Sequence, residues 1–158
     1  MKHLELFAGI GGFRRAMDLL TKDNVMEFHC VGYSEIDIKA ELTYRANYNI
    51  DENEFVLGDI VAFTGNKKNI KSLPKFDLLT GGFPCQTFSM MGSQAGFEED
   101  RGQMFFRIMD ILAIKKPKYV LLENVKNLRN HDKGRTFNRI KHELESIGYR
   151  VYADIFNT

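Results

Sequence analysis

The chain has 158 residues, 44% of them hydrophobic, and sets 22 Lys and Arg against 21 Asp and Glu for a formal net charge of +1. That length suits about one domain with a sizeable core, and so even a balance excludes a protein whose overall charge advertises a polyanionic partner; such a partner would have to be met by local charge. Two cysteines, Cys30 and Cys85, and four histidines, His3, His29, His131 and His142, show no ligand spacing, so neither a metal nor a disulfide framework is expected. No apolar run approaches the length of a membrane span and residues 1–5 lack the charged-then-apolar start of a signal, which predicts a cytoplasmic protein with reduced thiols and no membrane partner.

Residues 4–7 read as a first strand, and after Gly9-Ile10-Gly11-Gly12 the residues Phe13, Ala16, Met17 and Leu20 recur at helical spacing. A glycine turn between strand and helix lets a nucleotide-type ligand approach the backbone and the amino end of the helix. A dinucleotide fingerprint would carry its third glycine at position 14, where this chain has Arg14, so a nicotinamide dehydrogenase is disfavoured. Residues 29–34 read as a second strand ending at Glu35, where an acid can accept hydrogen bonds from both hydroxyls of a ribose, and residues 38–48 as a helix. A short third strand over 54–57 ends at Gly58-Asp59, where a carboxylate can take the exocyclic amine of an adenine.

The fourth strand, residues 76–80, runs into Gly81-Gly82-Phe83-Pro84-Cys85-Gln86-Thr87-Phe88-Ser89. The glycines permit close backbone approach and Pro84 stiffens the turn, two things a core cysteine does not need. Parallel sheets carry their chemistry just beyond the carboxyl ends of their strands, so a thiol there has the setting of a nucleophile. Residues 86–101, with Gly92 and Gly96, form a long irregular stretch that reads as a lid; Met90 and Met91 would either pack beneath it or fill space at its tip. Met104, Phe105, Ile108, Ile111, Leu112 and Ile114 mark an apolar helix stopped at Lys116-Pro117. Residues 119–122 make a fifth strand ending at Glu123; a helix from about Arg135, carrying Phe137, Ile140, Leu144 and Ile147, ends at Gly148 and leads into a further strand over 149–155. Strand and helix alternate throughout, which predicts an α/β fold with a doubly wound, mostly parallel sheet and helices on both faces. Two basic groups, one of Lys126, Arg129, Lys133, Arg135, Arg139 and Lys141 and one of Lys67, Lys68 and Lys71, read by default as solvated faces, with phosphate contact as the alternative.

Five of these segments, in this order, resemble the cytosine-5 DNA methyltransferases of bacterial restriction-modification systems. Phe7-Ala8-Gly9-Ile10-Gly11-Gly12-Phe13 is similar to the family's cofactor loop, Gly58-Asp59-Ile60 to its adenine-contacting turn and Pro84-Cys85-Gln86 to its nucleophile motif. Arg101-Gly102-Gln103-Met104-Phe105 matches a further family block, and Glu123-Asn124-Val125 looks like the catalytic glutamate motif; the likeness runs from Leu4 to about Asn157. It implies a Rossmann-like S-adenosylmethionine-dependent methyltransferase fold, with the cofactor held by Phe7, Gly9, Gly11, Gly12, Glu35, Asp59, Ile60 and Pro84 and no metal. It further implies that the Cys85 thiolate adds to carbon 6 of cytosine while Glu123, partly desolvated at the end of a buried strand, protonates or hydrogen-bonds ring nitrogen 3. The substrate so implied is duplex DNA with its cytosine turned out of the helix.

A base-contacting arginine motif, a target-recognition domain and a last segment returning to the cofactor pocket, which the family carries further on, are not found in residues 1–158. The expectation is therefore an incomplete catalytic and cofactor-binding portion, inactive alone, belonging to a longer chain or to a split enzyme completed by a C-terminal polypeptide. Two other readings stay open: an RNA (tRNA) cytosine-5 methyltransferase, and a non-catalytic subunit of a split assembly.

Overall fold

Alternation along the first strand sorts the molecule into layers. In β1 (Lys2–Leu6), Leu4 and Leu6 point one way and His3 and Glu5 the other, and all four are buried, as expected of a strand covered on both faces. The computed structural model describes residues 1–84 and 104–156. In it β1 is the middle of a five-stranded, wholly parallel sheet of order β3-β2-β1-β4-β5, with β2 at His29–Ser34, β3 at Phe55–Val56, β4 at Leu78–Gly82 and β5 at Tyr119–Glu123. The strand order reverses on either side of β1, and the crevice beyond the carboxyl ends of β1 and β4 is where such sheets take ligands.

Leu4 and Leu6 enter the main core with Phe105, Ile108, Ile111 and Leu112 of α5 (Met104–Lys115) and Ile140 and Leu144 of α6 (Arg135–Ser146). Ile60 of α3 (Ile60–Thr64) and Ile70 of α4 (Lys67–Ser72) complete that layer. The opposite face is covered by α1 (Gly12–Lys22) and α2 (Ile38–Asn47), where Ala8, Tyr33 and Tyr44 form a smaller cluster with Tyr48 and Ile50 against it. Helices thus lie on both faces of the sheet, as the alternating pattern predicts.

The differences from the sequence reading are local and have physical causes. The apolar stripe read along α1 is largely exposed apart from Met17; Arg14 is the buried position one turn earlier. The short α3 and α4 escape periodicity because neither completes two turns, although Asp59 and Asn66 cap them at Val61 N and Lys68 N. The expected strand over 149–155 does not form: β5 ends the sheet, and its outer edge carries no ladder among the described residues. Tyr149 instead closes α6, its N–H donating to Leu144 O at 3.1 Å and its hydroxyl to Pro117 O at 2.7 Å. Gly148 takes the left-handed conformation expected after that helix, with φ 99°.

Candidate active site

A cavity of about 300 Å³ opens over the carboxyl ends of β1, β2 and β3. Phe7, Glu35, Asp59, Ile60 and Pro84 of the anticipated cofactor residues line it, together with Ser34, Ile36, Gly58 and Met104. The turn after β1 shapes one wall. Phe7 leaves the strand at φ 54°, a left-handed conformation that is costly for a non-glycine residue, and Gly9 follows at φ 56°. Ala8 N–H donates to Ser34 O at 2.9 Å, so the turn is fastened to the end of β2.

Glu35 braces the same turn: its Oε2 accepts from Gly9 N at 2.7 Å, and its Oε1 accepts from Ile36 N and Asp37 N at 2.8 and 2.7 Å. Asp59 Oδ1 caps α3, accepting from Val61 N at 2.8 Å, and Ser34 Oγ donates to Gly58 O at 2.9 Å to tie the ends of β2 and β3 together. A carboxylate has about four acceptor sites, so both acids have capacity left for a ligand's hydroxyls or amine. Apolar walls from Phe7, Ile60, Pro84 and Met104 with two carboxylates at successive strand ends suit a nucleoside: a flat heterocycle between the walls, polar edges toward the acids.

The three glycines of the turn have different neighbours. A Cβ at Gly9 or Gly12 would meet nothing within 4 Å, whereas one at Gly11 would stand 2.2 Å from the Tyr48 ring. Gly11 is therefore required by packing within the fold: Tyr48 lies across it and donates its hydroxyl to Gly11 O at 2.6 Å. None of the three lines the cavity.

Glu123 ends β5 in register with Gly82 of β4. A Cβ at Gly82 would approach Glu123 Oε2 to 3.1 Å, so the glycine leaves the carboxylate its room. Asn124 Nδ2 donates to Phe83 O at 2.6 Å, pinning the glutamate segment to the turn that leads into Pro84. Glu123 is exposed rather than partly buried: among the described residues β5 is the edge of the sheet, with Tyr119, Leu121 and Glu123 all exposed along one side. Cys85 lies outside the described residues, as do the lid stretch with Met90 and Met91, Arg101 to Gln103, and Asn157. Cys30, the other thiol, is half-buried in β2; burial pushes it up to about 12, which keeps it protonated.

Sequence reasoning missed a buried polar cluster behind the glycine turn. Arg14 makes a bidentate pair with Glu54, Nη1 to Oε2 at 2.7 Å and Nη2 to Oε1 at 2.9 Å, and its guanidinium lies over the rings of Tyr44 and Tyr48. Tyr44 accepts from Arg14 Nη1 at 3.3 Å and donates to Glu5 Oε2 at 3.1 Å. Burial opposes the Arg14 charge, but Glu54 and Tyr44 more than offset it and hold the group ionised. The signal was present in part: an arginine two residues past the last glycine of the turn, where the helix must face the sheet. Among the described residues no three His, Cys, Asp or Glu side chains gather as a metal site would require. Among the same residues, no helix is long and apolar enough to cross a membrane.

A doubly wound parallel sheet of this order puts the chain in the Rossmann-like fold class. The chain belongs to the C-5 cytosine-specific DNA methylase family, whose model matches residues 1–158. It is 46% identical over 153 residues to the type II methyltransferase M.SsoII of Shigella sonnei, a match covering 97% of this chain and 37% of that protein. It is 44% identical over 154 residues to the type II methyltransferase M.NlaX of Neisseria lactamica, covering 98% and 45%, and 42% identical over 158 residues to the orphan methyltransferase M.Rho11sI of Bacillus phage rho11s, covering 100% and 29%. The chain thus spans 29 to 45% of the length of these relatives. Two solved structures share the fold: a Spodoptera frugiperda DNMT2 mutant, with a TM-score of 0.59, 24% identity, and coverage of 92% of this chain and 41% of that one; and a prophage-encoded DNA modification methyltransferase of E. coli, with a TM-score of 0.66, 21% identity, and coverage of 92% and 38%.

Proposed function

We propose that this chain is the cofactor-binding and nucleophile-bearing part of an enzyme that methylates carbon 5 of cytosine in duplex DNA, with S-adenosylmethionine as donor. The observation that carries the reading is one cavity lined by Phe7, Glu35, Asp59, Ile60 and Pro84, the last being the residue before Cys85. Glu35 would accept from the ribose hydroxyls and Asp59 from the adenine amine, and Phe7 and Ile60 would supply apolar walls for the heterocycle. When bound, the cofactor supplies an electrophilic methyl group.

Carbon 5 of cytosine is too weak a nucleophile to be methylated unaided, so electrons must be pushed into the ring. Cys85 does so as a thiolate, forming a bond to carbon 6, while Glu123, exposed in this chain and covered once the extruded base and the rest of the enzyme close over it, takes up a proton and donates it or a hydrogen bond to ring nitrogen 3, where the negative charge collects. Once carbon 5 carries its methyl, the carbon 5 proton passes to solvent, its bonding pair restores the ring double bond, the carbon 6 to sulfur pair leaves on Cys85 as the thiolate, and any proton on ring nitrogen 3 returns to Glu123. A stacked base cannot reach these groups, so the cytosine leaves the helix before Cys85 attacks. Selection of the DNA sequence belongs to segments outside this chain, on the same polypeptide or a complementary one, and the enzyme works in the cytoplasm as part of a restriction-modification system.

The test is covalent trapping by the complete enzyme. With 5-fluorocytosine in the recognised duplex, elimination is blocked and an adduct accumulates with wild type and with Cys30→Ser, whereas Cys85→Ser forms none. An adduct with the Cys85→Ser protein would point to another nucleophile and overturn the mechanism. Methyl transfer to tRNA with none to duplex DNA would overturn the substrate.

A further inference from the structure

The six Lys and Arg residues from Lys126 to Lys141 look alike in the sequence, but the fold divides them. Along α6, Arg139 Nε lies 3.7 Å from Glu143 Oε1 and Lys141 Nζ 3.7 Å from Glu145 Oε1, while Arg135 pairs with Asp132. These three are balanced by acids one helical turn or less away. Lys126, Arg129 and Lys133 are exposed and have no acid within ion-pair distance among the described residues. Asp132, the acid beside Lys133, is engaged by Arg135.

We propose that Lys126, Arg129 and Lys133 form a rim that grips the phosphates of duplex DNA beside Glu123. The proposal rests on the function argued above and names a contact surface for its substrate. Lys126 and Arg129 open and close a 3-10 turn (Lys126–Arg129), where residues three apart eclipse, so both stand on one side. Leu128 is buried in the core and fixes that turn's orientation. The turn starts three residues after Glu123, on the segment that Asn124 pins to Phe83, so its charges sit at the carboxyl edge of the sheet. Lys133 belongs to a second turn (His131–Gly134), in which Asp132, Lys133 and Gly134 are successively left-handed at φ 52°, 56° and 83°. That turn is pinned by Arg135 on Asp132 and by a 2.7 Å hydrogen bond between His131 Nδ1 and Thr136 Oγ1, so Lys133 is presented from a held backbone. Three uncompensated cations in eight residues, on a chain whose net charge is only +1, match the spaced negative charges of a nucleic-acid backbone. Phosphate contacts fix the register of a duplex without reading its sequence, which is what a base-extruding site needs at its edge.

The second basic group supplies the control. Lys67, Lys68 and Lys71 belong to α4, whose carboxyl end lies beside that of α5: Lys115 Nζ donates to Leu73 O at 2.5 Å, and both segments lead into the amino ends of β4 and β5. They are at the wrong end of the sheet to meet a duplex at Glu123.

The experiment measures duplex binding by the complete enzyme across salt concentrations. Replacing Lys126→Gln, Arg129→Gln and Lys133→Asn together, asparagine being tolerant of the left-handed backbone, should weaken cognate and non-cognate duplexes alike. It should also lower the slope of log Kd against log salt by about 2 to 3, at roughly 0.9 per phosphate contact. Lys67→Gln, Lys68→Gln and Lys71→Gln together should leave the slope unchanged. Should the triple variant at the rim melt early, Lys126→Gln alone should lower the slope by about 1. An unchanged slope with a wild type that methylates duplex DNA overturns the rim alone, while a wild type that binds duplex but transfers no methyl group overturns the functional reading. A slope lowered for tRNA and not for duplex assigns the surface to RNA and overturns the proposal.

Discussion

Glu5 and His3 share one face of β1, and burial shifts them in opposite directions: the Glu5 carboxyl rises to about 7 against the Tyr44 hydrogen bond, and His3 drops to about 4 with help from Arg14. Glu5 keeps its proton in the fold where the unfolded chain has lost it, so its contribution is full below 4.5 and is lost as pH rises through about 7. His3 stays neutral where the unfolded chain is charged, so its contribution is full above 6.5 and is lost as pH falls toward about 4. Between 4.5 and 6.5 the two slopes oppose, and wild-type stability should be nearly flat. Glu5→Gln removes one slope: relative to wild type it should gain about 2–3 kcal/mol between pH 4.5 and 8, read from urea midpoints. A variant whose profile runs parallel to wild type would show that Glu5 does not hold its proton. At the other end of the same turn, Glu35→Ala should weaken S-adenosylmethionine binding by about 1.5–3 kcal/mol, the worth of a hydrogen bond to a charged group. Calorimetry on the complete enzyme decides it, and unchanged affinity would remove Glu35 from the site.

Between elements, the Arg14 to Glu54 pair joins α1 to the approach to β3 across 40 residues. Glu54→Ala strands a buried guanidinium and should cost about 3–5 kcal/mol in denaturant unfolding. The double variant Arg14→Met, Glu54→Leu should recover most of that loss, because it removes the uncompensated charge; equal losses in single and double variants would argue that packing, not charge, is at stake. This cluster also marks the limit of what the sequence discloses. Strands β1, β2, β4 and β5 and helix α5 were legible because an apolar run and its turn residues are neighbours in the chain. Arg14 was read only as a missing glycine, since its partners Tyr44, Tyr48 and Glu54 come together through folding alone. The cavity residues Phe7, Glu35, Asp59, Ile60 and Pro84 were legible from strand ends and motifs, while Ser34 on its wall was read only as the end of a strand and Met104 only as a helix residue within a family block. The exposure of Glu123 and the unformed strand over 149–155 were illegible for one reason: whether a strand is an edge depends on what lies beside it.

For the whole molecule, the uncovered side of β5 matters most. Tyr119 is 46% and Leu121 47% exposed, on the same face of the sheet as Thr80 and His3, and α1 leaves Leu19 and Leu20 exposed as well. The 158 residues expressed alone should therefore associate as concentration rises, visible in light scattering, and should transfer no tritiated methyl group to DNA of mixed sequence. Co-expression with the segments that complete the relatives should restore transfer; robust transfer by the isolated chain would overturn the reading of it as a part. The position of β1 in the middle of the sheet has a consequence for biosynthesis. Its two neighbours are β2 and β4, and β4 lies more than 70 residues further along the chain. At about 5–20 residues per second, β1 spends roughly 4–15 s outside the ribosome with one edge unpaired. The strand that leads into the Phe7 to Gly12 turn thus waits for a partner made much later, and Lys2, His3 and Glu5 among its five residues keep it polar enough to stay in water meanwhile.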